Sequence, residues 1–215
     1  MLRQLRQKKV MKRILWGLAV IIIPAFVLWG AGSLGERRNY AGIIFGKKVS
    51  LREYVNAWEA AKNEALMAYG SKFYEIVDRL DLDNQAWDRL IMLREAKRKR
   101  IKVSDSEVIS FISRIPFFLD KDGSFDRRKY EIILSNTFRR SPRKFEEDIR
   151  ESLMIIRLSR GVVKDIPISE ADSEEAVQKR IQALQNWRQD LYQKAALIDN
   201  IKRLKEEAPP ETPQE

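Results

Sequence analysis

The sequence predicts an all-α protein on a single N-terminal transmembrane helix, and three observations carry that expectation. Residues 14–31 form an 18-residue run without a charge. From Ser50 onward, apolar residues recur every three or four positions between Ser or Asp helix starts and Gly or Pro stops. The 215 residues are 44% hydrophobic and 33% charged, with neither cysteine nor histidine. Without cysteine there are no disulfides, thiolate metal sites or thiol nucleophiles. Without histidine the commonest general base and most transition-metal sites are gone. The nine glycines are scattered, and no phosphate-cradling loop appears. Composition therefore favours a binding protein over an enzyme, with no cofactor expected.

The first element is the span. Six of the 41 basic residues (Arg3, Arg6, Lys8, Lys9, Lys12 and Arg13) lie in residues 1–13, which hold no acid. The rest of the chain sets 35 basic against 31 acidic side chains, so the net +10 is concentrated in that flank. The uncharged run from Ile14, extendable to Leu34, is long enough as a helix to cross a hydrocarbon core of roughly 30 Å. Trp16 and Trp29 stand near its ends, where indoles favour the headgroup level, and Pro24 is tolerated inside a membrane helix. The positive flank places the N-terminus inside and the body outside. A cleaved signal peptide ending near Gly30 or Gly32 is the alternative, but the run exceeds the usual 7–15 residues.

Helices follow in order. Ile43-Ile44-Phe45, ending at Gly46, reads as a small strand or extended chain. Ser50 to Glu53 forms a capping box opening a helix with Leu51, Tyr54, Val55, Trp58, Ala61, Ala65 and Leu66 on one stripe, ended by Gly70. A shorter helical piece covers Lys72 to Leu80. Asp83 is expected to cap a long helix bearing Ala86, Trp87, Leu90, Ile91, Leu93 and Ala96. Its end is the basic run Lys97 to Arg100, which suits a helix C-terminus better than a nucleic-acid contact, because no aromatic residues interleave.

Ser104 to Glu107 is a second capping box, before Val108, Phe111, Ile112 and Ile115; Pro116 stops that helix. The loop from Phe117 to Asp126 turns at Asp122-Gly123, and its acidic residues do not follow the ligand spacing of a calcium loop. Asp126 caps a helix with Tyr130, Ile133, Leu134 and Phe138. Ser141-Pro142 starts the next, with Phe145, Ile149, Leu153, Ile156 and Leu158. After a bend at Val162–Pro167, the last helix carries Val177, Ile181, Leu184, Trp187, Leu191, Ala195 and Ile198. The Pro- and acid-rich end is expected to be disordered.

These segments, in this order, resemble the SurA-type peptide-binding chaperone domain and its membrane-anchored, PpiD-like periplasmic relatives. The resemblance rests on the basic flank and span, on Trp87-Asp88-Arg89-Leu90-Ile91 and Arg94 to Lys97, and on Ile101 to Val108. It continues through Ile115 to Phe118, Asp122 to Asp126 with Tyr130, and Phe145 to Arg150 with Leu153. It implies a multi-helix SurA N-terminal-like domain whose long C-terminal helix packs back on it. The expected organisation is a cytoplasmic flank (1–13), an anchor (14–34), the chaperone domain (35–168), its completing helix (169–205) and a tail (206–215). In the family a parvulin-type prolyl isomerase domain usually separates the two parts. Here only Val162 to about Asp172 intervenes, too short for a domain, so the resemblance implies chaperone action without isomerase chemistry.

Seven residues, Phe111, Ile115, Phe117, Phe118, Phe125, Tyr130 and Phe138, crowd into 28 positions and are the candidate peptide-binding surface. The competing reading is that they are core. The Phe117-Phe118-Leu119 run, in a loop, is the best candidate for exposure, with Arg94, Lys97 and Arg98 as candidate holders of client carboxylates. The expected function is an ATP-independent holdase in the bacterial inner membrane, its body in the periplasm. Its partners would be unfolded or outer-membrane clients, the translocation machinery, the bilayer through residues 14–34, and a second copy as a homodimer, but not nucleic acid. The alternative is a membrane-anchored scaffold or adaptor acting through helix contacts.

Overall fold

A computed structural model describes residues 40–164 and 174–206. The anchor at 14–34, the bend between the last long helices and the tail beyond Glu206 lie outside the described residues. Among the described residues, no helix is long and apolar enough to cross a membrane.

The fold is mostly helical, consistent with the all-α expectation, and the small strand read at Ile43-Ile44 belongs to a three-stranded sheet. Strands β1 (Tyr40–Ile44) and β2 (Lys47–Ser50) are joined by Phe45 and Gly46, both at positive φ (52° and 69°), the turn geometry a two-residue hairpin demands. β3 (Ile198–Asp199) pairs antiparallel with β1 on its other side, in the order β2-β1-β3. Gly42 is required there. A Cβ on it would stand 2.2 Å from the Ile198 carbonyl oxygen and 2.8 Å from the Trp87 ring.

Helix α1 (Leu51–Tyr69) begins at Ser50, whose hydroxyl accepts the Glu53 N–H at 3.1 Å, and ends at Gly70 with φ 58°. Only half of the expected capping box forms, because the Glu53 carboxylate turns to Arg94 at 3.2 Å. Short helical turns over Gly70–Arg79 lead to α2 (Leu82–Arg98). Its cap is Asp81, which accepts the Asn84 N–H at 3.0 Å, and not Asp83. Asp83 instead accepts the Tyr54 hydroxyl at 2.7 Å; burial and that bond push the Tyr54 phenol pKa up. Helix α2 is central. It buries Ala86, Trp87, Leu90, Ile91, Met92, Leu93 and Ala96 and packs against α1, α5 (Pro142–Val162) and α6 (Glu174–Ala195).

Helix α3 (Asp105–Ile112) carries the complete capping box, with the Ser104 hydroxyl accepting from Glu107 N–H and the Glu107 carboxylate accepting from Ser104 N–H at 2.9 Å. In the following loop the Asp120 carboxylate accepts the N–H groups of Asp122 (2.9 Å) and Ser124 (2.8 Å), and Gly123 turns the chain at φ 80°. Asp126 then caps α4 (Arg127–Ile133), which widens into a π-turn over Leu134–Phe138. Ser141 caps α5, with Pro142 at its first position as expected. Against α3, α4 and α5 lies the aromatic core, in which Phe118 is edge-on to Tyr130, Phe138 and Phe145 while Phe138 stacks on Phe145 at 5.5 Å.

Helix α6 packs against α2 and α5, with Leu191 and Ala195 buried and both Arg188 and the Tyr192 hydroxyl on the Asp88 carboxylate. The helix stops short of the expected Ile198. Ala196 adopts φ 45°, and Ile198 joins the sheet. The described residues divide into two units, Gly42–Asp199 and a smaller one containing Tyr40, Ala41 and Asn200–Glu206. In the smaller unit, Asn200 N–H donates to the Ala41 carbonyl at 2.9 Å and starts the short helix α7 (Ile201–Glu206).

Candidate functional site: an apolar groove between α3 and α5

The seven candidate residues part company in the structure. Phe118, Tyr130 and Phe138 are core, and Phe118 is fully buried. This corrects the expectation that the Phe117-Phe118-Leu119 run is exposed: the run forms a 3-10 turn that inserts Phe118 among three rings. Phe117 is half-buried, edge-on to Phe138. Phe125 is exposed and lines a smaller pocket with Ile109, Ile112 and Tyr130. Phe111 and the mostly buried Ile115 line a larger feature.

That feature is an open groove of about 790 Å³. Its apolar lining is Phe111 and Ile115 from and just after α3, Pro116, and Leu153 and Ile156 from α5. Phe111 is 40% exposed and Ile156 39%. Each is a large side chain left in water beside others of its kind, and such a patch marks a binding surface more often than an isolated apolar residue does.

Helical spacing builds both walls. Glu107, Ser110, Phe111 and Arg114 lie three, four and seven positions apart and share one side of α3 and its exit turn. Leu153, Ile156, Arg157 and Arg160 share one side of α5 in the same way. The sequence places Leu153 and Ile156 on the apolar stripe of this helix, and Leu153 does pack against the core while also reaching the groove; the lining arginines are not among the sequence candidates. A signal was present. Leu153-Met154-Ile155-Ile156 are four consecutive apolar residues, which on a helix sweep roughly 300° and cannot all face one core. Met154 and Leu158 face inward and Ile156 faces out.

The groove is electropositive, with three guanidinium groups among its lining against the single carboxylate of Glu107. Arg157 is engaged by Glu107 and by the Lys102 carbonyl. The Ser104 N–H first, then the Ser104 hydroxyl and Arg157, hold the Glu107 carboxyl below its usual range. Among the described residues Arg114 donates only to neutral oxygens of Ser110, including its carbonyl at 2.9 Å. Arg160 has no hydrogen bond or ion pair among the described residues.

The candidate cations Arg94, Lys97 and Arg98 lie elsewhere. Arg94 donates to the carbonyls of Ile44 (2.9 Å), Lys47 (3.0 Å) and Lys48 (3.0 Å) and pairs with Glu53, clamping the hairpin to α2. Lys97 pairs with Glu151 at 3.3 Å and Arg98 with Glu95 at 2.7 Å. None of the three lines the groove.

Comparison with known proteins gives a coherent picture. A family model described as the SurA-like N-terminal domain matches residues 1–159. The periplasmic chaperone PpiD of Escherichia coli K12 is 26% identical over 152 residues, covering 66% of this chain and 24% of that protein. The protein of the same name from Escherichia coli O6:H1 matches to the same extent. The chain thus spans about a quarter of the length of the curated relatives it matches. No solved structure matches.

Proposed function

Because the chain belongs to the family of SurA-like N-terminal domains, we propose that it is a membrane-anchored, periplasm-facing holdase that binds unfolded polypeptides in the α3–α5 groove. One observation carries this reading: Phe111 and Ile156 stand exposed on facing walls of a groove that the described helices leave open. A non-native segment would bury its apolar side chains against them. Each fully buried large side chain is worth about 1.5–3 kcal/mol, and ordering the client offsets much of that, so binding is reversible without ATP. The uncharged run at 14–34 would hold the body near the translocation exit and raise its effective concentration there. No isomerase chemistry is assigned to this chain; its clients would be newly translocated or outer-membrane polypeptides.

The test uses the full chain in phosphatidylcholine nanodiscs, with empty nanodiscs as the blank. A urea-denatured outer-membrane protein is diluted into each and light scattering followed. Suppressed scattering is expected, and it should be lost in Ile156→Asp with Phe111→Ser while helicity is kept. A folded wild-type chain that leaves scattering unchanged would sink the holdase reading.

A specific observation favours a second reading, that of an assembly scaffold. Val177 (47% exposed) and Ile181 (42%) continue the α6 stripe beyond the part docked at Leu191 and Ala195. If the scaffold reading holds, Ile181→Asp will abolish capture of a partner complex or a second copy and leave scattering assays unaffected.

A further inference from the structure

We infer that the α3–α5 groove selects apolar polypeptide segments flanked by carboxylates, an acidic amphipathic class of client. This rests on the groove being the client site and adds what it prefers. Client carboxylates would complement two cations that form no ion pair among the described residues, beside an apolar lining. Arg114 finds only the neutral oxygens of Ser110, and Arg160 finds no partner among the described residues. Arg157, by contrast, is already neutralised by Glu107. An apolar segment lying along Phe111 and Ile156 would bring its flanking residues within reach of Arg114 on one wall and Arg160 on the other. A guanidinium donates two parallel hydrogen bonds to a carboxylate, whereas a client lysine there would meet like charge.

The pocket across α3 supplies the contrast. It too is apolar, through Ile109, Phe125 and Tyr130, but its Arg127 is paired with Glu131 at 3.0 Å. The charge left over there is the Glu146 carboxylate. The two sides of one helix therefore differ in sign, and only the α5 side favours acidic segments.

The experiment measures fluorescence anisotropy of three labelled peptides against the full chain in phosphatidylcholine nanodiscs. The peptides share one apolar centre and carry Glu, Gln or Lys at the flanks. Partly exposed charge pairs are worth about 0.2–1 kcal/mol each, so two of them predict that the Glu peptide binds about two- to thirty-fold tighter than the Gln peptide. The Lys peptide should bind more weakly than either. The Glu advantage should shrink as NaCl rises from 50 to 500 mM, because the Debye length falls to a few ångströms. Arg114→Gln with Arg160→Gln should bring the Glu peptide's affinity down to that of the Gln peptide measured on the same variant. Equal affinity of the three peptides for the wild type overturns the charge selection alone. An advantage that survives in the double variant overturns it as well, because it then belongs to the basic flank at residues 1–13. Absence of binding by all three overturns it together with the groove reading.

Discussion

Two halves of the larger unit use arginine in opposite ways. Around α1, α2 and the hairpin, Arg89, Arg140 and Arg94 all find carboxylate or carbonyl partners. Arg89 donates to Glu64 (2.6 Å), Ser152 (3.0 Å) and the Asp148 carbonyl (2.8 Å). Arg140 pairs with Glu59 at 2.6 Å and donates to the Asn56 carbonyl at 3.1 Å; its Nε lies 3.2 Å from Asp148, close enough for an ion pair but out of line for a hydrogen bond. Arg94 holds three carbonyls of the hairpin. Between α3 and α5, Arg114 and Arg160 sit beside exposed apolar side chains and form no ion pair among the described residues, the groove's Glu107 being taken by Arg157. The difference teaches how to tell a structural arginine from a recognition one. A guanidinium that satisfies backbone carbonyls removes a folding problem, whereas one left open beside an apolar surface leaves a binding capacity unused.

The largest effect that can break this comparison is in the aromatic core. Phe118→Ala should cost about 3–5 kcal/mol in urea denaturation, because it empties a site enclosed by three rings. A loss below about 1 kcal/mol would mean that Phe118 is surface and the sequence expectation was right. Next, Gly42→Ala should cost about 1–3 kcal/mol, since its Cβ must displace both the Ile198 carbonyl and the Trp87 ring. Arg94→Ala should cost about 1–3 kcal/mol by stranding carbonyls of the hairpin, while Arg160→Ala should stay within about 0.5 kcal/mol. Equal losses in that pair would erase the distinction between the two halves.

The smallest effect is a pH dependence. The Glu107 carboxyl is held low by the Ser104 N–H and hydroxyl and by Arg157, so it releases its proton more readily folded than unfolded. Its stabilisation is therefore complete above the ordinary glutamate range near pH 4.3 and disappears as pH falls through the lowered folded value. Thermal melts should show Glu107→Gln less stable than wild type at neutral pH and the gap closing below about pH 4. Asp148 has the opposite sign. Burial raises its carboxyl, against Arg140, Lys144 and Arg89, so its ionisation works against folding as pH rises. Asp148→Asn should consequently flatten any stability lost on raising pH above about 4.

What the sequence determined by itself was local. The hydroxyl of Ser104 and the carboxylate of Glu107, the Ser141-Pro142 start, the Asp126 cap and the Gly70 stop each need only neighbours three or four residues away, and all stand where the spacing places them. The aromatic density around Phe118 announced a core or a surface, without saying which. Tertiary structure decided the rest, because those outcomes depend on partners far along the chain. Arg94, 41 residues distant, drew Glu53 out of its capping box. The pairing of Ile198 with Ile43, permitted by the bare backbone of Gly42, ended the last helix early. Three rings closed over Phe118, whereas no described residue closes over Ile156. A side chain's period says which way it points along its own helix. Whether another element arrives to cover it is settled only when the helices pack.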